Sequence, residues 1–179
     1  MTSKVMVTGR PGVGKTTVVL RVVEQLKEMG LSVGGIITLE VRSRGVRVGF
    51  KMVDLATGRE ATLASVCSAP GPRVGKYLVH VDNLNSLAVS SIEHAIDECH
   101  VVVIDELGPM EFKSQMFVEA AVKALSSQKP LLATLHYKLK HPLLDEIRRR
   151  RDVEILEVTE ANRDRLPSLI VAKLVEHRG

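Results

Sequence analysis

Apolar residues recur in this chain with two different periods, and the switching between them predicts its architecture. Val5, Met6 and Val7 form a short continuous run. Val19, Val22, Val23 and Leu26 then return at helical spacing up to Gly30, a plausible helix stop. Val33 to Val41 reads as a second strand. After the tight turn Ser43-Arg44-Gly45, Val46, Val48, Phe50 and Met52 alternate with Arg47, Gly49 and Lys51, the period of a half-buried strand. Ala56-Thr57-Gly58 marks another turn, and Ala61 and Leu63 continue the alternation. An antiparallel meander is therefore expected after the second strand. Ser68 to Pro72 reads as a loop and Tyr77 to Val81 as a further short strand.

Later in the chain, Val101 to Ile104 and Leu131 to Leu135 are unbroken apolar runs, as expected of strands buried on both faces. Val153 to Val158 reads as the last strand. Helices are predicted around Leu84, Leu87, Ala88, Ile92 and Ile96, and around Met116, Phe117, Ala120, Ala121 and Ala124. Pro142 suits the first turn of a short helix holding Leu143, Leu144 and Ile147, and Leu169, Ile170 and Leu174 line a closing helix. Buried strands alternating with amphipathic helices imply an α/β fold. Its mostly parallel sheet should carry helices on both faces, with the antiparallel meander inserted. Ligands in such folds bind beyond the carboxyl ends of the strands.

Bulk composition narrows the picture. The 179 residues suit a single domain spanning 1–179, with 45% hydrophobic content. No apolar run approaches the roughly 20 residues of a membrane helix. The first strand begins at Val5, which leaves no room for a signal peptide, so a cytoplasmic protein without a membrane partner is expected. Cys67 and Cys99 are isolated and read as two buried thiols. His136 and His141 flank a basic segment without acidic or Cys companions, a weak metal pattern. The net charge is +4, with basic clusters at 42–51, 138–140 and 148–151. Aromatic residues are only 3%, so base-stacking platforms are scarce. Solvated faces with a phosphate-facing subset are favoured over a nucleic-acid surface.

The strongest chemical signal is Gly9-Arg10-Pro11-Gly12-Val13-Gly14-Lys15-Thr16, which fits the phosphate-binding pattern G-x-x-x-x-G-K-[ST] between a strand and a helix. Loop amides and the helix N-terminus would face phosphates, Lys15 would meet the outer ones, and Thr16 would offer a hydroxyl to Mg²⁺. A second signal ends the strand Val101-Val102-Val103-Ile104 with Asp105 and Glu106. Two adjacent carboxylates after a buried strand need a cation or a solvated cleft. Asp105 is the expected metal ligand and Glu106 the group that activates water. Asp105 to Gly108 also matches a GTPase-like Asp-x-x-Gly. No guanine-reading N-K-x-D element follows, so a guanine-specific switch is not expected.

Four segments together resemble the thermostable nucleoside-triphosphatase family that also contains the cancer-related nucleoside-triphosphatase, a family of P-loop NTPases. They are the P-loop, Thr38-Leu39-Glu40-Val41-Arg42 with Arg47-Val48-Gly49-Phe50, Asp105-Glu106-Leu107-Gly108-Pro109-Met110-Glu111, and Thr159-Glu160-Ala161-Asn162-Arg163. The resemblance covers nearly the whole chain. It implies the three-layer P-loop sandwich and hydrolysis of ATP, GTP and other nucleoside triphosphates to diphosphate and phosphate, with broad base tolerance. It also implies nucleotide contacts from the P-loop and the 101–108 strand end, which adds Val103, Ile104, Leu107 and Gly108 to Asp105 and Glu106.

Among the remaining candidates, Arg42 is expected to contact the phosphates as an internal arginine finger, with Arg47 as second choice; Arg44, Lys51 and Lys76 are alternatives. Glu111 reads as a helix cap in preference to a group behind the metal. For Thr134 and His136 ordinary burial is favoured, and Asn162 and Arg163 either touch the base or cap the last helix. The whole reading is a Mg²⁺-dependent triphosphatase. Its rivals are a small nucleotide or nucleoside kinase using Arg148 to Arg151 as a lid, and a nucleotide-gated RNA-binding module.

Overall fold

Side-chain alternation in the first strand, β1 (Lys4–Thr8), sets the layering. Val5 and Val7 point into one core and Met6 into another, so the sheet is covered on both sides. The computed structural model describes residues 3–176. After β1 come α1 (Lys15–Glu28), β2 (Val33–Ser43), β3 (Val46–Asp54), β4 (Glu60–Val66), β5 (Arg73–Val74) and β6 (Tyr77–Val79). A helical stretch follows as α2 (Val81–Asn83), a wider π turn over Leu84–Ala88, and α3 (Val89–Glu98). The rest is β7 (Val101–Leu107), α4 (Gln115–Ser126), β8 (Leu131–Leu135), α5 (Pro142–Arg149), β9 (Val153–Glu157) and α6 (Leu166–Val175).

One nine-stranded sheet has the order β5-β6-β4-β3-β2-β7-β8-β1-β9. The pairs β2/β7, β7/β8, β8/β1 and β1/β9 are parallel. The strands β3, β4, β6 and β5 extend the β2 edge antiparallel; β3 and β4 are the expected meander, β6 is the further short strand, and the two-residue β5 adds to them. Helices α1 and α6 cover one face through Val18, Val19, Val22, Leu26, Ile170 and Leu174. Helices α3, α4 and α5 cover the other through Ile92, Ala95, Phe117, Ala121, Leu144 and Ile147. The fold is thus the three-layer α/β sandwich.

Several local details differ from the periodic reading. The stripe Val46, Val48, Phe50, Met52 fades outward: Met52 is fully buried, whereas Val46 is 60% exposed. The β2–β3 hairpin overhangs the sheet, and its tip turns through Arg44 and Gly45, both with positive φ, as a two-residue turn requires. Leu169 and Met116 also face outward, and Cys67 is exposed, so only Cys99 is a buried thiol. The strand β7 does not stop at Ile104 but carries Asp105 and Glu106 on to Leu107. Lys4 is buried at the foot of β1. Its Nζ donates to the carbonyls of Ala124, Ser127 and Lys129, satisfying groups that the end of α4 leaves open.

Candidate active site

The loop between β1 and α1 is shaped by its glycines. Gly9 has φ +153°, and a Cβ there would lie 2.9 Å from the Val158 carbonyl oxygen, so only glycine lets the loop leave β1 so close to the segment after β9. Gly14 caps α1 with φ +109°. The cap has no side-chain hydrogen bond and the first turn no acidic residue, so the helix presents uncompensated N–H groups and the positive end of its dipole. That is the composition of an anion site. Lys15 Nζ lies back along the loop, donating to Gly9 O at 2.7 Å.

Thr16 joins this loop to β7. Its Oγ1 donates to Asp105 Oδ2 at 2.9 Å, while Thr134 Oγ1 of β8 donates to Asp105 Oδ1 at 2.6 Å. Thr38 Oγ1 of β2 donates to the Asp105 carbonyl at 2.9 Å. Asp105 is therefore held from three elements and is only 3% exposed. Burial pushes its carboxyl up from the ordinary range, and the Thr134 and Thr16 bonds pull it down. The approach of β2 to β7 depends on Gly35, where a Cβ would overlap the Val103 carbonyl. The register between β7 and β8 shifts between Ile104 and Leu107, an irregularity that re-aims Asp105 and Glu106.

Glu106 faces the same concavity. Burial, then the charge of Asp105, push its carboxyl up to about 7, and Lys15 acts in the opposite direction. Glu111 is buried close by and is pushed well above the ordinary range, first by burial and then by Glu106. Gly108 separates them: a Cβ there would stand 2.7 Å from Glu106 Oε1 and 3.1 Å from Glu111 Oε2. The cap of α4 is Ser114, whose Oγ accepts from Phe117 N, so Glu111 does not serve as that cap.

These groups line a cavity of about 550 Å³. Pro11, Gly12, Gly14, Lys15, Thr16, Asp105 and Glu106 meet there, as their sequence positions suggest, and Glu111 and His136 join them. Val13 and Arg10 bracket a turn of the loop, with Val13 N donating to Arg10 O. Neither side chain lines the cavity, and Arg10 is exposed. Val103, Ile104 and Leu107 have their side chains in the two cores. They hold the strand, and Gly108 holds the spacing between two carboxylates.

Arg42 lies elsewhere. Half-exposed on the hairpin, it donates to Glu40 Oε2 and to Gly45 O, and it does not line the cavity. Arg47 does, with Nε on the Tyr77 hydroxyl and Nη1 on Glu40 Oε1. Arg163 Nη1 donates to Val13 O from the other flank of the loop. Asn162 closes the turn beginning at Thr159, accepting from Thr159 N and donating to Glu157 O, and it does not cap α6. None of 148–151 lines the cavity; Arg148 pairs with Asp145 and Arg150 with Asp152. For Thr134 the sequence favours ordinary burial over a phosphate-facing role, and for Thr38 periodicity gives no role; both hydroxyls instead hold Asp105. Each lies in or beside an apolar run that ends at the ligand crevice, and that position is the signal for Thr38.

Comparison with known proteins gives a consistent result. The model of a family described as NTPase matches residues 4–171. The nucleoside-triphosphatase THEP1 of Thermofilum pendens is 50% identical over 170 residues, covering 94% of this chain and 93% of that protein. The crystal structure of THEP1 from the hyperthermophile Aquifex aeolicus superposes with a TM-score of 0.85 at 34% identity, covering 96% of this chain and 98% of that one. The solution structure of a human cancer-related nucleoside triphosphatase gives 0.84 at 38% identity, covering 99% of this chain and all of the other.

Proposed function

This chain belongs to the NTPase family of nucleoside-triphosphatases, and on that premise we propose which of its groups carry the hydrolysis. The enzyme is a hydrolase of nucleoside triphosphates. In our reading the phosphates sit on the loop from Gly9 to Thr16 and the N-terminus of α1. Lys15 leaves the loop carbonyls for the outer phosphates, where charge spreads over oxygens in the transition state. Glu106 orients the attacking water and takes its proton. Arg42 stays on the outside of the hairpin with Glu40.

The observation that carries this reading is the Thr16–Asp105 hydrogen bond, which places a hydroxyl and a carboxylate oxygen side by side at the foot of the loop. Both are hard oxygen donors of the kind Mg²⁺ takes, and a cation would relieve the burial of Asp105. Among the described residues no group of three His, Cys, Asp or Glu is arranged to hold a metal alone. The chain thus offers Thr16 and Asp105, and the remaining positions belong to phosphate and water, as is usual for Mg²⁺. When bound there, the cation would neutralise charge on the outer phosphates.

Calorimetric ATP binding and phosphate release by Lys15→Ala test the assignment, with circular dichroism as the folding control. We expect weakened binding and lost turnover; a folded variant with near-normal turnover would move the phosphates elsewhere.

A further inference from the structure

The cavity has a second end that hydrolysis does not use. Its polar end is made by the loop, Thr38, Asp105 and Glu106; its other end is walled by Phe50, Leu63, Val74, Pro109 and Met110. Most of that wall comes from the meander, which the parallel half of the sheet does not need. A hydrolytic water needs about 30 Å³. The whole cavity, at about 550 Å³, falls in the size range of sites that enclose small organic ligands.

The bound nucleotide does not account for the apolar end. Lys15 and Thr16 serve the outer phosphates, so the terminal phosphate faces Asp105 and Glu106. The nucleoside then leaves by the opposite flank of the loop. A separate concavity of about 240 Å³ lies there, lined by Gly14, Thr17, Val18, Arg21, Arg163 and Asp164. The apolar end lies beyond the terminal phosphate.

A fixed cation marks this end. The Arg47 guanidinium is held by Tyr77 OH at 3.0 Å and Glu40 Oε1 at 3.1 Å, and it lies 5.1 Å from the Phe50 ring centroid and 5.7 Å from that of Tyr77. Glu40 also binds Arg42, so the trio of Glu40, Arg42 and Arg47 keeps one net positive charge. Among the described residues Arg47 Nη2 donates to no protein acceptor. A pre-oriented guanidinium beside aromatic and aliphatic walls recognises an acid group on a flat apolar body. We propose that the apolar end of the cavity is a second ligand site for a small aromatic anion, occupied together with the nucleotide and next to its terminal phosphate. Its occupant would sit beyond the water that Glu106 orients, so it would bind without displacing nucleotide. This rests on the assignment of the loop to the phosphates.

The probe is anilinonaphthalene sulfonate, a flat apolar anion, titrated by fluorescence into the enzyme saturated with Mg²⁺ and ADP. We expect binding by the wild type at saturating ADP, with the dye leaving KM for ATP unraised. Val74→Trp fills the chamber, and Val74→Glu places a repelling charge in its wall. Both should weaken dye binding about tenfold or more, while basal kcat and KM stay within about twofold of wild type. Absence of dye binding, displacement of dye by ADP, or unchanged affinity in folded Val74 variants would each overturn the proposal. So would loss of basal turnover in those variants. Failure of the phosphate assignment is read separately, from Lys15→Ala.

Discussion

Thr16 Oγ1 donates to Asp105 Oδ2 at 2.9 Å, a bond between residues 89 positions apart in the chain. It links the phosphate loop to β7, and Thr134 holds the other carboxylate oxygen, so Asp105 has one orientation. Asp105→Asn keeps the size of the side chain and removes its charge. The Mg²⁺ concentration for half-maximal turnover should rise by at least about tenfold. Phosphate release measured against Mg²⁺ checks this. An unchanged requirement would place the cation away from Asp105.

Glu106 lies one residue on, facing the cavity beside Lys15 and Asp105. Glu106→Gln should retain calorimetric ATP binding and lose kcat by about 10²-fold or more, the span expected for removing a general base. Normal hydrolysis by this variant would assign water activation to another group.

Arg42 is tied to Glu40 and Gly45 on the outside of the hairpin. Arg42→Ala should therefore change kcat by less than about twofold. A large fall in kcat with KM unchanged would show that the hairpin closes over the loop during turnover and brings this arginine to the transition state.

Lys4 gives a pH-dependent signature unrelated to catalysis. Burial lowers its ammonium from 10.5 to about 8, against the smaller pull of Asp152. Below that value the folded and unfolded chains both carry the proton, and the cost of burying the charge is constant. Between about 8 and 10.5 the unfolded chain binds the proton and the folded one does not, so this residue makes stability rise with pH across that window. Thermal melts across that range should show Lys4→Met losing this upward contribution relative to wild type. Identical pH dependence in the two proteins would mean that Lys4 titrates normally in the fold.

Much of the site was legible because its chemistry is local in the chain. Gly12, Gly14, Lys15 and Thr16 are adjacent, and their backbone requirements leave little freedom of residue type. Asp105 and Glu106 stood out because charge after a buried strand is costly. The groups that sequence reading undervalued act across the sheet. Thr134 and Thr38 reach Asp105 from neighbouring strands, and Glu111 reaches the cavity past Gly108. Arg42 follows the strand read over 33–41 at its carboxyl end, which is what favours it over Arg47 in the sequence. The observed hairpin overhang carries Arg42 past the crevice, and Tyr77 and Glu40 hold Arg47 at its wall.

By itself, then, the amino-acid sequence determined the alternation of strands and helices, the two-faced sheet, the meander and the phosphate loop. Periodicity and glycine placement are properties of short segments, and each segment buries its own apolar stripe wherever the fold puts it. The tertiary structure alone decided which hydroxyls satisfy Asp105, which arginine faces the cavity, and that two carboxylates share the space around Gly108. Those outcomes depend on strand register, on the shift between Ile104 and Leu107, and on how closely Gly35 lets β2 approach β7. Register and close approach are set by packing between segments distant in the chain, and no single stretch of residues carries that information.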